Sequence, residues 1–220
     1  MDVDINILIV TTSFSKVNDD WTTGVWFEEF AIPYMMFKKS GFKISVASPK
    51  GGSSPIDPNS IPKGIPKEFK EEKNALAKTQ KLDTVEYLQF DGIFLPGGHG
   101  PMFDLVNDPS LRKILEYMNT KNKLISAICH GPAGLLSAPE NGKSILKGKK
   151  ITAFSNEEEI LTNKSEFIPF SLEDKLKKAG AIFVKEKPGI PNVVIGENII
   201  TGQNPKSSEL IAKAVIDSFS

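Results

Sequence analysis

Cys129 is the only cysteine in 220 residues, and it sits in the segment Lys123-Leu-Ile-Ser-Ala-Ile-Cys-His-Gly-Pro-Ala-Gly134. A short run of apolar and small residues between charged or polar segments reads as a buried strand. It leads into Cys129-His130 and then Gly131-Pro132-Ala133-Gly134, which must turn sharply and open a helix. At such a corner the free N–H groups of the helix start favour negative charge and lower a cysteine pKa. A lone cysteine is more often a buried structural residue. The strand, Cys-His-Gly-Pro, helix order argues instead for a nucleophile elbow.

A second candidate is Leu95-Pro-Gly-Gly-His-Gly100, which follows another apolar run. It lacks the spacing of a dinucleotide fingerprint. Adjacent glycines after a parallel strand let backbone N–H groups approach a ligand closely. The N–H groups of Gly98 and His130 could together form an oxyanion hole beside the thiol, although an ordinary tight turn explains the same residues. In open parallel sheets ligands bind beyond the strand carboxyl ends, where this loop and the cysteine both lie.

Carboxylates come from two further segments. Val25, Glu29, Ile32 and Met36 share one stripe of a helix expected over Thr23–Ser40, so Glu29 interrupts an apolar line while Glu28 aligns with Gly24 and Lys39. Pro33 removes the bond to the Glu29 carbonyl and bends the helix there. A carboxyl on a buried face has a raised pKa and stays protonated, able to donate or exchange a proton; a surface glutamate is the plainer alternative. Ser155-Asn-Glu-Glu-Glu159 reads first as an acidic helix start. Ser155 and Glu158 fit a capping box, which leaves Glu159 freer to reach His130 and Glu157 as a solvated residue. His99 and His130 are the only histidines, and no Cys or His cluster suggests a zinc site.

Strand and helix patterns alternate around these residues. Strands are expected at Ile5–Thr11, Phe42–Ala47, Phe90–Leu95, the run ending at Cys129, Lys150–Phe154, Val193–Ile195 and Asn198–Thr201. Besides Thr23–Ser40, helices are expected over Pro109–Asn119 behind an Asp108 cap, after Ser171 with Asp174 three residues on, and over Ser207–Phe219. Such alternation implies an α/β fold with a mostly parallel central sheet and helices on both faces. Residues 48–82, dense in Pro, Gly, Ser and Lys with a weak helical stretch at Glu68–Lys78, read as an excursion that shapes one wall of a pocket.

Length and composition fit a single domain over residues 1–220. Twenty-seven basic residues balance 27 acidic ones, which gives no reason to expect nucleic acid or an anionic membrane as partner. One cysteine excludes an intrachain disulfide and suits a reducing compartment. The start Met1-Asp-Val-Asp4 is not that of a signal peptide. A soluble cytoplasmic protein is expected.

Thr23-Gly-Val-Trp-Phe-Glu-Glu29, Leu95-Pro-Gly-Gly-His-Gly100, Ala127-Ile-Cys-His-Gly-Pro132, Thr152-Ala-Phe-Ser-Asn156 and Ile200-Thr-Gly-Gln-Asn-Pro205 together resemble the ThiJ/PfpI superfamily. Within it they look like the branch of heat-inducible chaperones and glutathione-independent glyoxalases (glyoxalase III). The motifs are in family order and span nearly the whole chain. The resemblance implies a flavodoxin-like sandwich, usually homodimeric. It places the nucleophile at Cys129, its histidine at His130, the thiol-bonding glutamate at Glu29 and the third triad member at Glu159, with Glu158 the alternative. Gly98, His130 and His99 are then expected around the substrate oxygen. The chain lacks the extra domain and metal site of the larger bacterial chaperones, and it has no histidine after His130 to serve a glutamine amidotransferase. The implied activity is a lyase reaction of the lactate dehydratase class, methylglyoxal to lactate, with no cofactor and no metal. A holdase chaperone, a protein deglycase and a cysteine redox sensor are the competing expectations.

Overall fold

Along the first strand Ile7 and Ile9 enter one apolar cluster while Leu8 and Val10 enter another on the opposite face. This alternation with both sides buried is what a sheet covered by helices on each face requires. The computed structural model describes residues 4–137 and 144–220. In chain order its elements are β1 (Asn6–Val10), α1 (Phe27–Lys39), β2 (Lys43–Ser48), α2 (Lys70–Leu76), β3 (Gln80–Lys81), β4 (Gly92–Leu95), α3 (Pro101–Asp104) and α4 (Pro109–Thr120). Then follow β5 (Leu124–Ile128), β6 (Lys150–Ile151), α5 (Asn156–Leu161), α6 (Leu172–Lys178), β7 (Ile182–Phe183), β8 (Val193–Ile195), β9 (Ile199–Gly202) and α7 (Ser208–Asp217).

The central sheet has seven strands in the order β3-β2-β1-β4-β5-β9-β8. All neighbours are parallel except the β8–β9 pair. The chain therefore winds outward one way through β2 and β3 and the other way through β4 and β5. The reversal falls between β1 and β4, the kind of crevice in which open α/β sheets bind ligands. Helices α1 and α7 cover one face, and α4 covers the other. In α4, Asp108 caps the amides of Ser110 and Leu111, and Leu111, Ile114, Leu115 and Met118 are buried. Their i, i+3, i+4, i+7 spacing is that of a one-faced helix. Among the described residues no helix is long and apolar enough to cross a membrane.

Three local expectations fail, each for a physical reason. Helix α1 starts at Phe27, not Thr23. The preceding residues are tied to the 48–82 excursion: the Val25 N–H donates to the Pro55 carbonyl at 2.8 Å, and Gly24 lies so close that a Cβ there would come within 2.2 Å of that oxygen. The buried side of α1 is consequently Phe27, Phe30, Ala31, Tyr34 and Phe37, with Ile32 and Met36 only half-buried. Glu29 is buried nonetheless, because it faces the ends of the strands. Strand β6 stops at Ile151 and pairs with β7 outside the central sheet. Beyond it the Thr152 N–H goes to Thr201 Oγ1 (2.8 Å) and the Phe154 N–H to the Cys129 carbonyl (2.9 Å). The turn after Cys129 continues as a 3-10 helix over Gly131–Ser137, not an α-helix. Strand β3 was not expected, since its two exposed polar residues carry no apolar pattern.

Candidate active site

The site lies over the carboxyl ends of β4 and β5, beside the start of α1. Cys129 follows β5 directly and has φ +59, a left-handed conformation that costs a non-glycine residue roughly 1–2 kcal/mol. Two backbone bonds hold it there: its N–H donates to the Gly202 carbonyl, and its carbonyl accepts from Phe154. The strained turn lifts the side chain off the sheet end, the device of a nucleophile elbow.

Gly97 shows how tightly the neighbours converge. A Cβ at this position would lie 2.5 Å from Glu29 Oε2, 2.8 Å from Cys129 Cβ and 2.8 Å from the His130 nitrogen. Only glycine lets the loop after β4 pass between the three. The Gly97 N–H donates to Glu29 Oε2 at 2.9 Å. Gly98 itself has φ +88 and packs on the backbone of Gly24 and Trp26, so the loop after β4 and the segment before α1 lock each other in place.

Glu29 is fully buried, and its Oε1 has no hydrogen-bond partner among the described residues. Burial raises its pKa well above the usual carboxylate range, although the Cys129 thiol and the Gly97 N–H pull the other way. A protonated carboxyl at neutral pH follows. Burial also pushes the Cys129 thiol up, and Glu29 beside it adds to the shift, while the Gly98 N–H opposes it. The expected lowering by a helix start is absent from the resting site, because the side chain is buried and the turn after it is 3-10. The resting pair is a thiol next to a carboxylic acid.

His130 links this pair to a carboxylate. Its Nδ1 lies 3.3 Å from Cys129 Sγ and its Nε2 2.6 Å from Glu159 Oε2. The other carboxylate oxygen, Oε1, lies 2.8 Å from His99 Nε2 and accepts from Thr162 Oγ1 at 3.1 Å. Burial, and then the neighbouring His99, keep the His130 pKa below the usual histidine value. Burial works to raise the Glu159 pKa, but the two histidines outweigh it and hold the group well below the usual range. An ionised Glu159 accepts from Nε2–H of both rings, which leaves Nδ1 of neutral His130 as an acceptor facing the thiol.

Glu158 is occupied otherwise. It forms the capping box with Ser155 and accepts from Gly189 N–H, Gln203 Nε2 and Asn204 Nδ2. Glu157 is exposed and pairs with Lys185. Glu28 is exposed. His99, expected at the substrate oxygen, turns its Nε2 to Glu159, and its ring packs on His130 at a tilt of 38° with centroids 4.1 Å apart. The reading that the two histidines form no cluster is therefore corrected. His99, His130 and Glu159 place their donor atoms within 4.8 Å of one another, a grouping hidden by sequence separations of 31 and 29 residues. Sequence reasoning also passed over Trp21, whose ring meets the edge of His99 at 5.0 Å, and Thr162.

The model of the DJ-1/PfpI family matches residues 22–218. The chain belongs to this family. Glyoxalase 3 of Candida albicans is 30% identical over 232 residues, 98% of each chain. A glutathione-independent glyoxalase of Schizosaccharomyces pombe, hsp3101, is 31% identical over 96% of this chain and 94% of its own. Two solved structures share the whole architecture. The glyoxalase III structure from Candida albicans superposes with a TM-score of 0.85 at 30% identity, covering 98% of both chains. The Rapid Encystment Protein 24 KDa of Francisella tularensis superposes with a TM-score of 0.92 at 35% identity, covering 98% of this chain and 99% of that one.

Proposed function

We propose that the protein is a glutathione-independent glyoxalase that converts methylglyoxal to lactate on Cys129. The observation that carries this reading is one thiol flanked by two opposite proton carriers, the acceptor Nδ1 of His130 at 3.3 Å and the buried carboxyl of Glu29, which converges with Cys129 at Gly97. Relatives of the same length named as glyoxalases support the substrate class.

His130 Nδ1 takes the thiol proton as the sulfur attacks the aldehyde carbon. The S–C bond forms, and the carbonyl pair moves to oxygen beside the Gly98 and His130 N–H groups. His130 returns the proton to that oxygen, giving the hemithioacetal. The neutral imidazole then removes the hydrogen from the former aldehyde carbon while Glu29 protonates the ketone oxygen, and an enediol results. His130 delivers its proton to the former ketone carbon, and the remaining hydroxyl returns a proton to Glu29 as the thioester carbonyl forms. Water cleaves the S–C bond, releasing lactate and restoring the thiol. Glu159 fixes the His130 tautomer throughout, as the buried carboxylate does in a Ser-His-Asp triad.

A cavity of about 470 Å³ adjoins the site, and Phe154, Thr162, Leu161 and Glu28 contribute to its wall. Phe154 packs on His130 with centroids 4.6 Å apart, so the cavity is a natural approach for a small, uncharged dicarbonyl. The test follows methylglyoxal loss and lactate appearance with purified protein in thiol-free buffer, with and without chelator. Stoichiometric lactate in both is expected; a strict need for glutathione or for added metal rejects the reading.

A further inference from the structure

His99, His130 and Glu159 are the one group of three metal-ligating side chains found among the described residues. Two imidazole nitrogens with one carboxylate and an open position form a donor set suited to zinc-class divalent cations. We propose that this trio is an inhibitory binding site for a zinc-class cation, which ties up the base of the reaction. Binding does not depend on the glyoxalase reading; only the inhibition rests on it.

Geometry favours the site. Both Nε2 atoms already face Glu159, at 2.6 and 2.8 Å. Metal–ligand bonds of about 2.0–2.2 Å put tetrahedral ligand atoms about 3.4 Å apart, and one donor atom from each of the three side chains already lies within 4.8 Å of the others. The cluster is sheltered but not sealed: the His99 and Glu159 side chains keep 11% and 9% of their surface, against 2% for His130. The solvent-facing part of the cluster is therefore His99 and Glu159. Surrounding groups orient the ligands as outer-shell partners do at metal centres. Thr162 Oγ1 holds Glu159 Oε1, Trp21 packs on His99, and Phe154 packs on His130.

A ring that gives its Nε2 lone pair to the metal carries its hydrogen on Nδ1. On His130 that Nδ1–H then faces Cys129 Sγ, 3.3 Å away. A ring with metal on one nitrogen and hydrogen on the other has no lone pair left. Whatever proton state the sulfur takes, His130 carries no proton between the substrate carbons, and turnover stops.

The test is equilibrium dialysis of metal-free full-length protein against buffered Zn²⁺, with Co²⁺ as a spectroscopic probe. One zinc per chain is expected in wild type and equally in Cys129→Ser. The Co²⁺ form should show ligand-field bands of a low-coordinate site without a sulfur-to-cobalt charge-transfer band. His99→Gln and Glu159→Gln, checked for folding by circular dichroism, should each weaken zinc by about 100-fold or more, the upper range for disturbing a metal site. Saturating Zn²⁺ should stop methylglyoxal turnover in wild type, and chelator should restore it. No stoichiometric zinc in wild type, or undiminished zinc in both His99→Gln and Glu159→Gln, overturns the site. So does loss of zinc in Cys129→Ser together with a sulfur band in wild type, which would mark a thiolate site. Zinc bound at the trio with turnover unaffected overturns the inhibition. Protein that binds zinc there yet never turns over methylglyoxal leaves the site standing and rejects the glyoxalase reading instead.

Discussion

Glu159 Oε2 meets His130 Nε2 at 2.6 Å, and this contact decides which His130 nitrogen faces the thiol. With Nε2–H committed to a buried carboxylate, Nδ1 is left as an acceptor. Glu159→Gln removes the charge and lets either amide atom meet the ring, so the tautomer is no longer fixed. The expected loss in kcat is about 10²-fold or more, with KM little changed. Steady-state kinetics on folded protein check it.

Glu29→Gln removes the proton that meets the ketone oxygen while keeping shape and the Gly97 contact. Turnover should fall by about 10²-fold or more. Glu28→Gln, one residue away but exposed, should stay near wild type. Equal effects, or a larger one at Glu28, would show that the wrong carboxyl was assigned.

Most of the fold was legible because β1, β4 and β5 are short apolar runs that only a buried parallel sheet explains. Asp108 with Pro109 marked the α4 start in the same direct way. The start of α1 was not legible. Val25 looks like one more apolar helix position, and nothing local reveals that Pro55 captures its N–H. The cysteine corner was readable from one segment, Ile128 to Gly134. The His99–Glu159 contact was not, since it joins the loop after β4 to helix α5, 60 residues on, and their meeting depends on strand order.

The pH profile of kcat/KM follows from two opposed shifts. Burial holds His130 below its ordinary 6.5, so the active neutral ring persists as pH falls past that value. The acid limb should lie below pH 6.5. Glu29 is raised by burial, and the alkaline limb should appear where it gives up its proton. Glu29→Gln should move the alkaline limb and leave the acid limb in place. The stability sign for His130 is fixed in the same way: its folded pKa lies below the unfolded one. Its contribution is present above about pH 6.5 and is lost as pH falls through the folded value. Denaturant melts at several pH values read this directly.

Gly97→Ala inserts a methyl 2.5 Å from Glu29 Oε2 and 2.8 Å from the His130 nitrogen. The loop, α1 and the elbow cannot all stay in place. Overpacking of this kind costs about 1–3 kcal/mol, and activity should fall further than stability alone explains. Gly41→Ala is the control. It sits at φ +84 with open space around a Cβ and lies away from the site, so it should lose stability without losing the turnover of folded protein.

Covalent chemistry at one sulfur is tested most directly by Cys129→Ser assayed for lactate from methylglyoxal in thiol-free buffer, beside wild type on the same protein mass. Serine is nearly isosteric with cysteine and fits the same left-handed corner, so circular dichroism and the melting transition should match wild type. Its hydroxyl is a far weaker nucleophile near neutral pH. The expected result is stoichiometric lactate from wild type and none above the protein-free rate from Cys129→Ser. Lactate formed at the wild-type rate by a folded Cys129→Ser protein would contradict the thiol mechanism outright.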